Sequence, residues 1–573
     1  MSTLRTSPHL ARVVTTLYAL SLLAAILVLR PGCVHLVVWA SFEKEDLLGI
    51  IAARYEQTRP SVDLRCVEID VVRMASGDAE DALARGIFAS DEARPHVWSP
   101  AASTWVDLLE QHLTERGAQP IVPAERSSII KSPLVIAMPE PMAEALGWPR
   151  TEISWADIFK LAQDPQGWAS KGHPEWGRFK FGKTNPLVST SGLHTLLAMY
   201  TIAGGGSIDD PNVRGFMESV ESSVVQNGST VSAFLKNLAD ADARGEALSY
   251  VSAIAIEEKQ VIDYNDGNPD FREDGKRLPP NVKLVAVYPR EGTLLADHPY
   301  VVLEAPWVTE QEARAAARFL DHLKSDVVQQ QFMANAYRGA RGETGPVIDA
   351  SKELDRFKPS IFLSTPDSRT LARVQASWKD IRKNARVLFL MDVSLSMGDR
   401  IGSASASKLD LAKEGLLSAL GNFAKDDHVG VWTMAGKERR EVIAVGALRD
   451  QEAQLRAEIE RLRPEGTGKS LYASVAGAVA LMRQRFDRER INAVIVLTDG
   501  RNDDTANADL NGLLRSLRAQ AENERVRVFT IAYGPGADRD ALGRIALAAQ
   551  GARYDAVDPR VIGRVILEAV SNF

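Results

Sequence analysis

The sequence predicts an α/β protein built from parallel sheets covered by helices, with one apolar segment at its N-terminus. Three observations carry this. Short apolar runs alternate with amphipathic helical stretches along nearly the whole chain. Two of those runs, ARVLFLMD and INAVIVLTD, are apolar almost throughout and end in Asp, as strands buried on both faces and leading into a ligand site do. The length of 573 residues corresponds to roughly four domain-sized units at ~150 residues each. With 45% hydrophobic and 25% charged residues the chain has ordinary globular composition, which excludes a disordered or fibrous protein. The balance of 68 Lys+Arg against 75 Asp+Glu, net −7 and without a basic stretch, argues against nucleic acid as a partner. Two cysteines, Cys33 and Cys66, exclude a disulfide framework and any CxxC-type zinc or redox site.

Residues 1–12 carry Arg5 and Arg12 and no acidic residue, and Val13 to Leu29 form an uncharged apolar run. As a helix, that run rises about 25 Å, close to the ~30 Å hydrocarbon core. The flanking arginines leave residues 1–12 in the cytoplasm. A single-pass anchor over residues 13–29 is preferred to a cleaved signal, because Arg30-Pro31 follows directly and no small-residue cleavage pair is evident. The same two residues replace what a lipoprotein motif needs before Gly32-Cys33. The bulk of the chain is then extracytoplasmic, in an oxidising compartment. Cys33 and Cys66 pair there if the first two predicted strands are neighbours; two separate buried thiols are the alternative.

From residue 34 to about 350 the pattern alternates. VHLVVWAS (34–41) reads as a strand, EDLLGIIAARYEQ (45–57) as a helix, VDLRCVEIDVV (62–72) as a strand, and PHVWSP and ASTWVDLLEQHL continue the alternation. A small polar residue follows each of the first three strands: Ser41, Ser76 and Ser99. Turns of that kind line the crevice of an open α/β sheet, where helix N-termini attract anions. Each serine taken alone reads better as a helix cap, and it is their recurrence that suggests a ligand cleft. The order VVWASFEKEDLLGIIAARYEQTRP, VWSPAASTWVDLL, KSPLVIAMPEPMAEALGW, SWADIFKLA, KTNPLVSTSGLHTLLAMY and LVAVYPREGTLLADHPYVVLE resembles the bacterial extracellular solute-binding proteins, the two-lobed periplasmic receptors of ABC importers. The resemblance implies two α/β lobes with ligand held at the hinge. It also implies that Ser41, Ser76 and Ser99 face the ligand from the first lobe, and Thr184, Asn185, Ser189 and Ser191 from the second.

Residues 351–384 read as a linker ending in a docking helix from about Ser368 to Lys383. Residues 385–573 then alternate strands and helices as a doubly wound, Rossmann-like sheet, whose ligands belong at the carboxyl ends of its strands. Asp392 and Asp499 stand at two such ends. In extended chain, residues two apart share a side, so Asp392, Ser394 and Ser396 converge. An all-oxygen set with a second carboxylate suits a hard divalent cation, Mg²⁺ foremost. The block resembles the von Willebrand factor type A domain, and Asp392-Val393-Ser394-Leu395-Ser396 is similar to the D-x-S-x-S of its metal-ion-dependent adhesion site, with Asp499 in VLTDG as its second aspartate. That family places a Thr two residues before the Leu of the middle element. Here Lys469 stands in that place, which leaves Thr467 or Ser470 to complete the set, with Thr467 preferred for its preceding Gly. The resemblance implies Mg²⁺ held by Asp392, Ser394, Ser396, Thr467 and Asp499 and completed by an acidic side chain of a protein partner.

Gly468-Lys469-Ser470 also ends like a phosphate-binding loop, but the leading Gly of that motif would fall on Arg463 and no strand runs into it. Catalysis is not expected either. No His flanks Asp392 or Asp499, so no base is evident there. The sequence therefore reads as a membrane-anchored binding protein for a solute and a protein partner. The alternative is an import receptor for a small anion, with the C-terminal domain docking the permease.

Overall fold

The computed structural model describes residues 32–573 apart from 89, 274, 276, 402–405, 522–523 and 573. The predicted anchor at 13–29 lies outside the described residues; among those, no helix is long and apolar enough to cross a membrane. The chain divides into two compact units. One comprises residues up to Lys131, Phe271–Glu273 and Asp297–Val347; the other comprises Ser132–Asp270, Asp274–Ala296 and Ile348–Phe573.

The first unit is built on a six-stranded sheet. Its strands are β1 (Val34–Ala40), β2 (Ser61–Val62), β3 (Arg65–Arg73), β4 (Val97–Ser99), β5 (Ser127–Ser128) and β12 (Pro299–Val302), in the order β2-β3-β1-β4-β12-β5. β1 pairs in parallel with β3 and β4, and its apolar side chains are buried on both faces, as a central strand requires. The helix Glu45–Gln57 presents Leu47, Leu48, Ile51, Ala52 and Tyr55 to this core. Opposite them in the same cluster stand Ala315, Ala316, Phe319 and Leu323 of the helix Glu310–Leu323, which Thr309 and Glu312 cap reciprocally. Cys33, next to β1, is disulfide-bonded to Cys66 in β3, the outcome that adjacency of the two strands allows.

β6 (Ile130–Pro139) carries the chain into the second unit. There β7 (Phe181–Thr184), β8 (Val224–Gly228), β9 (Ala253–Glu257) and β10 (Leu284–Val287) join it in the order β10-β6-β9-β7-β8, with β11 (Leu295–Ala296) also on β6. β13 (Arg338–Gly339) pairs with the first residues of β6. The linker helix, Ser368–Ile381, is part of this unit's interior rather than a tether. Leu371, Val374, Gln375, Trp378 and Ile381 are buried at helical spacing. The helix packs on the helices Thr190–Ile202 and Pro211–Ser222, with Gln375 Nε2 donating to the Pro186 carbonyl at 3.2 Å. Trp378 Nε1 lies 3.4 Å from Glu221 Oε2, and the other oxygen of that carboxylate pairs with Lys183.

The same unit holds a third sheet. Its strands are β14 (Ala385–Asp392), β15 (His428–Ala435), β16 (Glu438–Ala447), β17 (Ile491–Thr498), β18 (Arg527–Tyr533) and β19 (Arg553–Ala556), ordered β16-β15-β14-β17-β18-β19. All neighbours are parallel except the β15–β16 hairpin. Alternate residues of β14 enter two different cores: Val387, Phe389 and Met391 join helices 408–419, 448–461 and 562–570, whereas Leu388 and Leu390 join helices 471–484, 510–518 and 539–548. This is the expected doubly wound arrangement. Strand order leaves β14 in both directions, to β15 and to β17, so the crevice between β14 and β17 is the sheet's topological switch point.

Candidate functional site

At that switch point the sheet delivers Asp392 at the end of β14 and Asp499 directly after β17. Both are buried, at 0% and 6% exposure. Asp392 Oδ1 accepts the Ser394 N–H at 2.9 Å, and its Oδ2 accepts the Thr498 hydroxyl at 2.7 Å. Ser394 Oγ and Ser396 Oγ lie 3.1 Å apart, and Ser396 Oγ donates to Asp499 Oδ1 at 2.8 Å. Four of the five predicted residues, Asp392, Ser394, Ser396 and Asp499, are thus one cluster. Leu395, between the two serines, is 54% exposed.

The fifth position differs from the expectation. Thr467 is exposed, and Ser470 donates its hydroxyl to Asp504 at 2.6 Å. The side chain that reaches the two aspartates is Lys469, only 4% exposed. Its ammonium stands 2.7 Å from Asp392 Oδ2, 2.7 Å from Asp499 Oδ1 and 3.5 Å from Ser396 Oγ. A second ammonium, from Lys408, donates to Asp499 Oδ2 at 2.9 Å and to the Ser396 carbonyl at 3.2 Å. Burial works against the Lys469 charge, but Asp392 and Asp499 outweigh it and raise its pKa above the ordinary lysine value. Burial likewise favours a neutral Asp499, and the Lys469 and Lys408 ammoniums reverse this, holding the carboxyl below its usual range. Lys408 is raised against its own burial by Asp499 and Asp399. Two ammoniums, Lys469 and Lys408, thus stand among the carboxylates of Asp392, Asp499 and Asp399. This donor set does not fit the Mg²⁺ expected from sequence: an ammonium already bridges the oxygens a divalent ion would need, and like charge would repel such an ion at close range.

The predicted solute residues fall in both units. In the first, Ser99 is fully buried and donates to the Pro299 carbonyl at 2.8 Å, and Ser76 Oγ accepts the Ala101 N–H at 3.1 Å. Ser41 donates to the Glu43 carboxylate and accepts from Lys44 Nζ at 2.6 Å. Lys44 is itself fully buried, also donates to the Pro100 carbonyl at 2.9 Å, and lies 3.2 Å from His298 Nδ1. Sequence reasoning missed this Glu43–Lys44–His298 group, because a charged run after a strand reads as a solvated helix start. In the second unit, Thr184 donates to Ser189 Oγ at 2.9 Å, Asn185 Oδ1 accepts the Leu187 N–H at 2.9 Å, and the Ser191 carbonyl accepts from Thr195. These four residues gather at the end of β7 and the start of the helix Thr190–Ile202. Lys408 and Thr498 were also missed; only the Lys at 469, where a Thr is usual, was a visible signal.

Two sets of α/β elements of this kind, followed by a doubly wound sheet with its polar cluster at the switch point, are the architecture of a two-lobed α/β region joined to a third, Rossmann-like domain. The chain belongs to the bacterial extracellular solute-binding proteins, whose family model matches residues 36–338; the von Willebrand factor type A domain model matches residues 387–502. An uncharacterised protein of Mycobacterium tuberculosis (strain H37Rv) is 23% identical over 507 residues, covering 85% of this chain and 69% of that one. Among solved structures, a periplasmic thiamin binding protein covers 61% of this chain and 96% of its own at 11% identity, TM-score 0.40. The periplasmic binding protein AfuA of Actinobacillus pleuropneumoniae, with fructose-6-phosphate bound, covers 62% and 99% at 15% identity, TM-score 0.42. A von Willebrand factor type A protein of Catenulispora acidiphila covers 33% and 42% at 19% identity, TM-score 0.28.

Proposed function

We propose that this chain is an extracytoplasmic binding protein held at the membrane by residues 13–29, with two separate recognition tasks. The solute-binding region takes a small polar solute, and the C-terminal domain takes a protein partner at the carboxyl ends of β14 and β17. The single observation that supports the second task is the Asp392–Ser394–Ser396–Asp499 cluster, rimmed by exposed Leu395, at the topological switch point of a doubly wound sheet. Exposed Leu395, next to the half-buried Ser396 hydroxyl, offers a protein partner contact area with a polar group at its edge. The reading is one of binding, not catalysis.

The test uses the full chain in its native envelope. A photo-crosslinking residue at position 395 should give one discrete protein adduct; no adduct there overturns the partner role. Native mass spectrometry of the purified full chain should show a co-purified small molecule, or a panel of polar solutes should raise its melting temperature. The absence of both overturns the solute role.

A further inference from the structure

We propose that Lys469 supplies the cation of the C-terminal site covalently, so that this adhesion-type face is assembled without a divalent metal. The lysine does not reach the aspartates by accident of a loose side chain. Gly466 and Gly468 take φ of +67° and +69°, a left-handed conformation that side-chain-bearing residues avoid, and so bend the loop GTGK back towards the sheet. The backbone is then pinned on both sides of Lys469. The Gly436 N–H donates to the Gly468 carbonyl and the Ser470 N–H to the Gly436 carbonyl, both at 2.8 Å. The Lys469 N–H donates to Asp503 Oδ2 at 3.1 Å, while its carbonyl accepts the Asp503 N–H at 2.9 Å. The side chain runs across Gly500, where a Cβ would come within 2.6 Å of Nζ and 3.0 Å of Cε. Glycine after Asp499 therefore makes room for the lysine stem.

Most of the carboxylate acceptor sites are also taken. Asp392 Oδ2 takes Lys469 and Thr498, its Oδ1 takes Ser394 N–H, and Asp499 takes Lys469, Ser396 and Lys408. Magnesium demands oxygens at about 2.0–2.1 Å in near-octahedral array, and here the oxygens already converge on a nitrogen. The consequence rests on the partner-binding reading: the partner meets exposed Leu395 and the edge of Ser396 directly, without contributing a carboxylate to a metal. The metal test below needs no partner, so its failure and the failure of that reading are separable.

The probe is Mn²⁺ alone, titrated into the full chain and followed by the electron paramagnetic resonance of the free ion, with melting temperature read in parallel. The wild-type chain should leave Mn²⁺ free and melt at the same temperature with or without EDTA. Lys469→Thr, which restores a hydroxyl and removes the ammonium, should gain one Mn²⁺ site and melt higher when the ion is added. The gain should vanish in Lys469→Thr/Asp392→Asn. The wild-type titration decides the matter even if the variant fails to fold. One Mn²⁺ bound by the wild type and lost in Asp392→Asn, or a wild-type melting temperature lowered by EDTA, overturns the proposal.

Discussion

Asp427 is the side chain whose loss should be felt furthest through the second unit. It is 0% exposed and pairs with Arg382, itself 3% exposed, at the end of the linker helix. The same carboxylate accepts the Ala385 N–H at 2.6 Å, at the start of β14, and the Ala424 N–H at 2.7 Å, in the turn leading to β15. One group thus joins the helix to two strands of the C-terminal sheet. Asp427→Ala leaves a guanidinium buried without its counter-ion, which costs about 3–5 kcal/mol. The two orphaned amides push the loss towards the upper end of that range. Arg382→Met should cost less, because Asp427 keeps its two backbone donors. The double variant Arg382→Met/Asp427→Ala should be less unstable than the two single losses added, since no charge then stays buried. Urea denaturation of the full chain measures the totals, and native-state hydrogen exchange at Ala385 and Ala424 localises them. A loss of about 3 kcal/mol corresponds to roughly two orders of magnitude in exchange at sites opened by global unfolding. A loss below about 1 kcal/mol for Asp427→Ala, the scale of an exposed pair, would show that the carboxylate is hydrated and the helix end unclamped.

Three further outcomes are expected. Cys33→Ser/Cys66→Ser should lower stability by about 4 kcal/mol in the chain-entropy picture, given the 33-residue separation, and dithiothreitol should reproduce the shift in the urea midpoint; an unchanged midpoint refutes it. Ser407→Ala should cost about 1 kcal/mol by uncapping the helix Lys408–Ala419. Its hydroxyl and N–H hold the Asp410 carboxyl down at about 2, so this contribution is present above the unfolded value of about 3.9 and is lost as pH falls towards 2. Acid titration of Ser407→Ala should therefore show a flatter decline. His112, raised by its hydrogen bond to Glu80 against the opposing effect of burial, contributes stability that is complete below about pH 6.5 and is lost as pH rises through its higher folded value. Melting curves from about pH 6 to 8 should lose that decline in His112→Gln.

Much of the fold was legible because its signals are local. The helix Glu45–Gln57 has the span its apolar spacing predicts, and β14 and β17 announce themselves as apolar runs closed by Asp392 and Asp499. β19 was not legible: RYDA is four residues long, alternately buried at a sheet edge, and too short and polar to stand out. The antiparallel turn of β16 depends on the hairpin at Gly436-Lys437 and not on strand composition. In the site, the two aspartates and two serines were readable because they follow strands, whereas the direction taken by Lys469 depends on Gly436 and Asp503, 33 and 34 residues away from it. Lys44 was unreadable for a similar reason, since its burial comes from Pro100 and His298, distant in the chain.

The linker helix bears on how such a chain could be recombined. A cut at residue 338, where the first family match ends, or at residue 384, just before the second begins, would split a shared interior. Cut at 338, lobe two would lose the cover that Leu371, Val374 and Trp378 provide, and the Lys183–Glu221 pair would lose the indole beside it. Cut after 384, the C-terminal sheet would leave Asp427 without Arg382. The heritable module is therefore the C-terminal domain with residues 367–384 attached, and grafting it onto another receptor would succeed only where that receptor supplies a seat like the one formed by Lys183, Pro186 and Glu221.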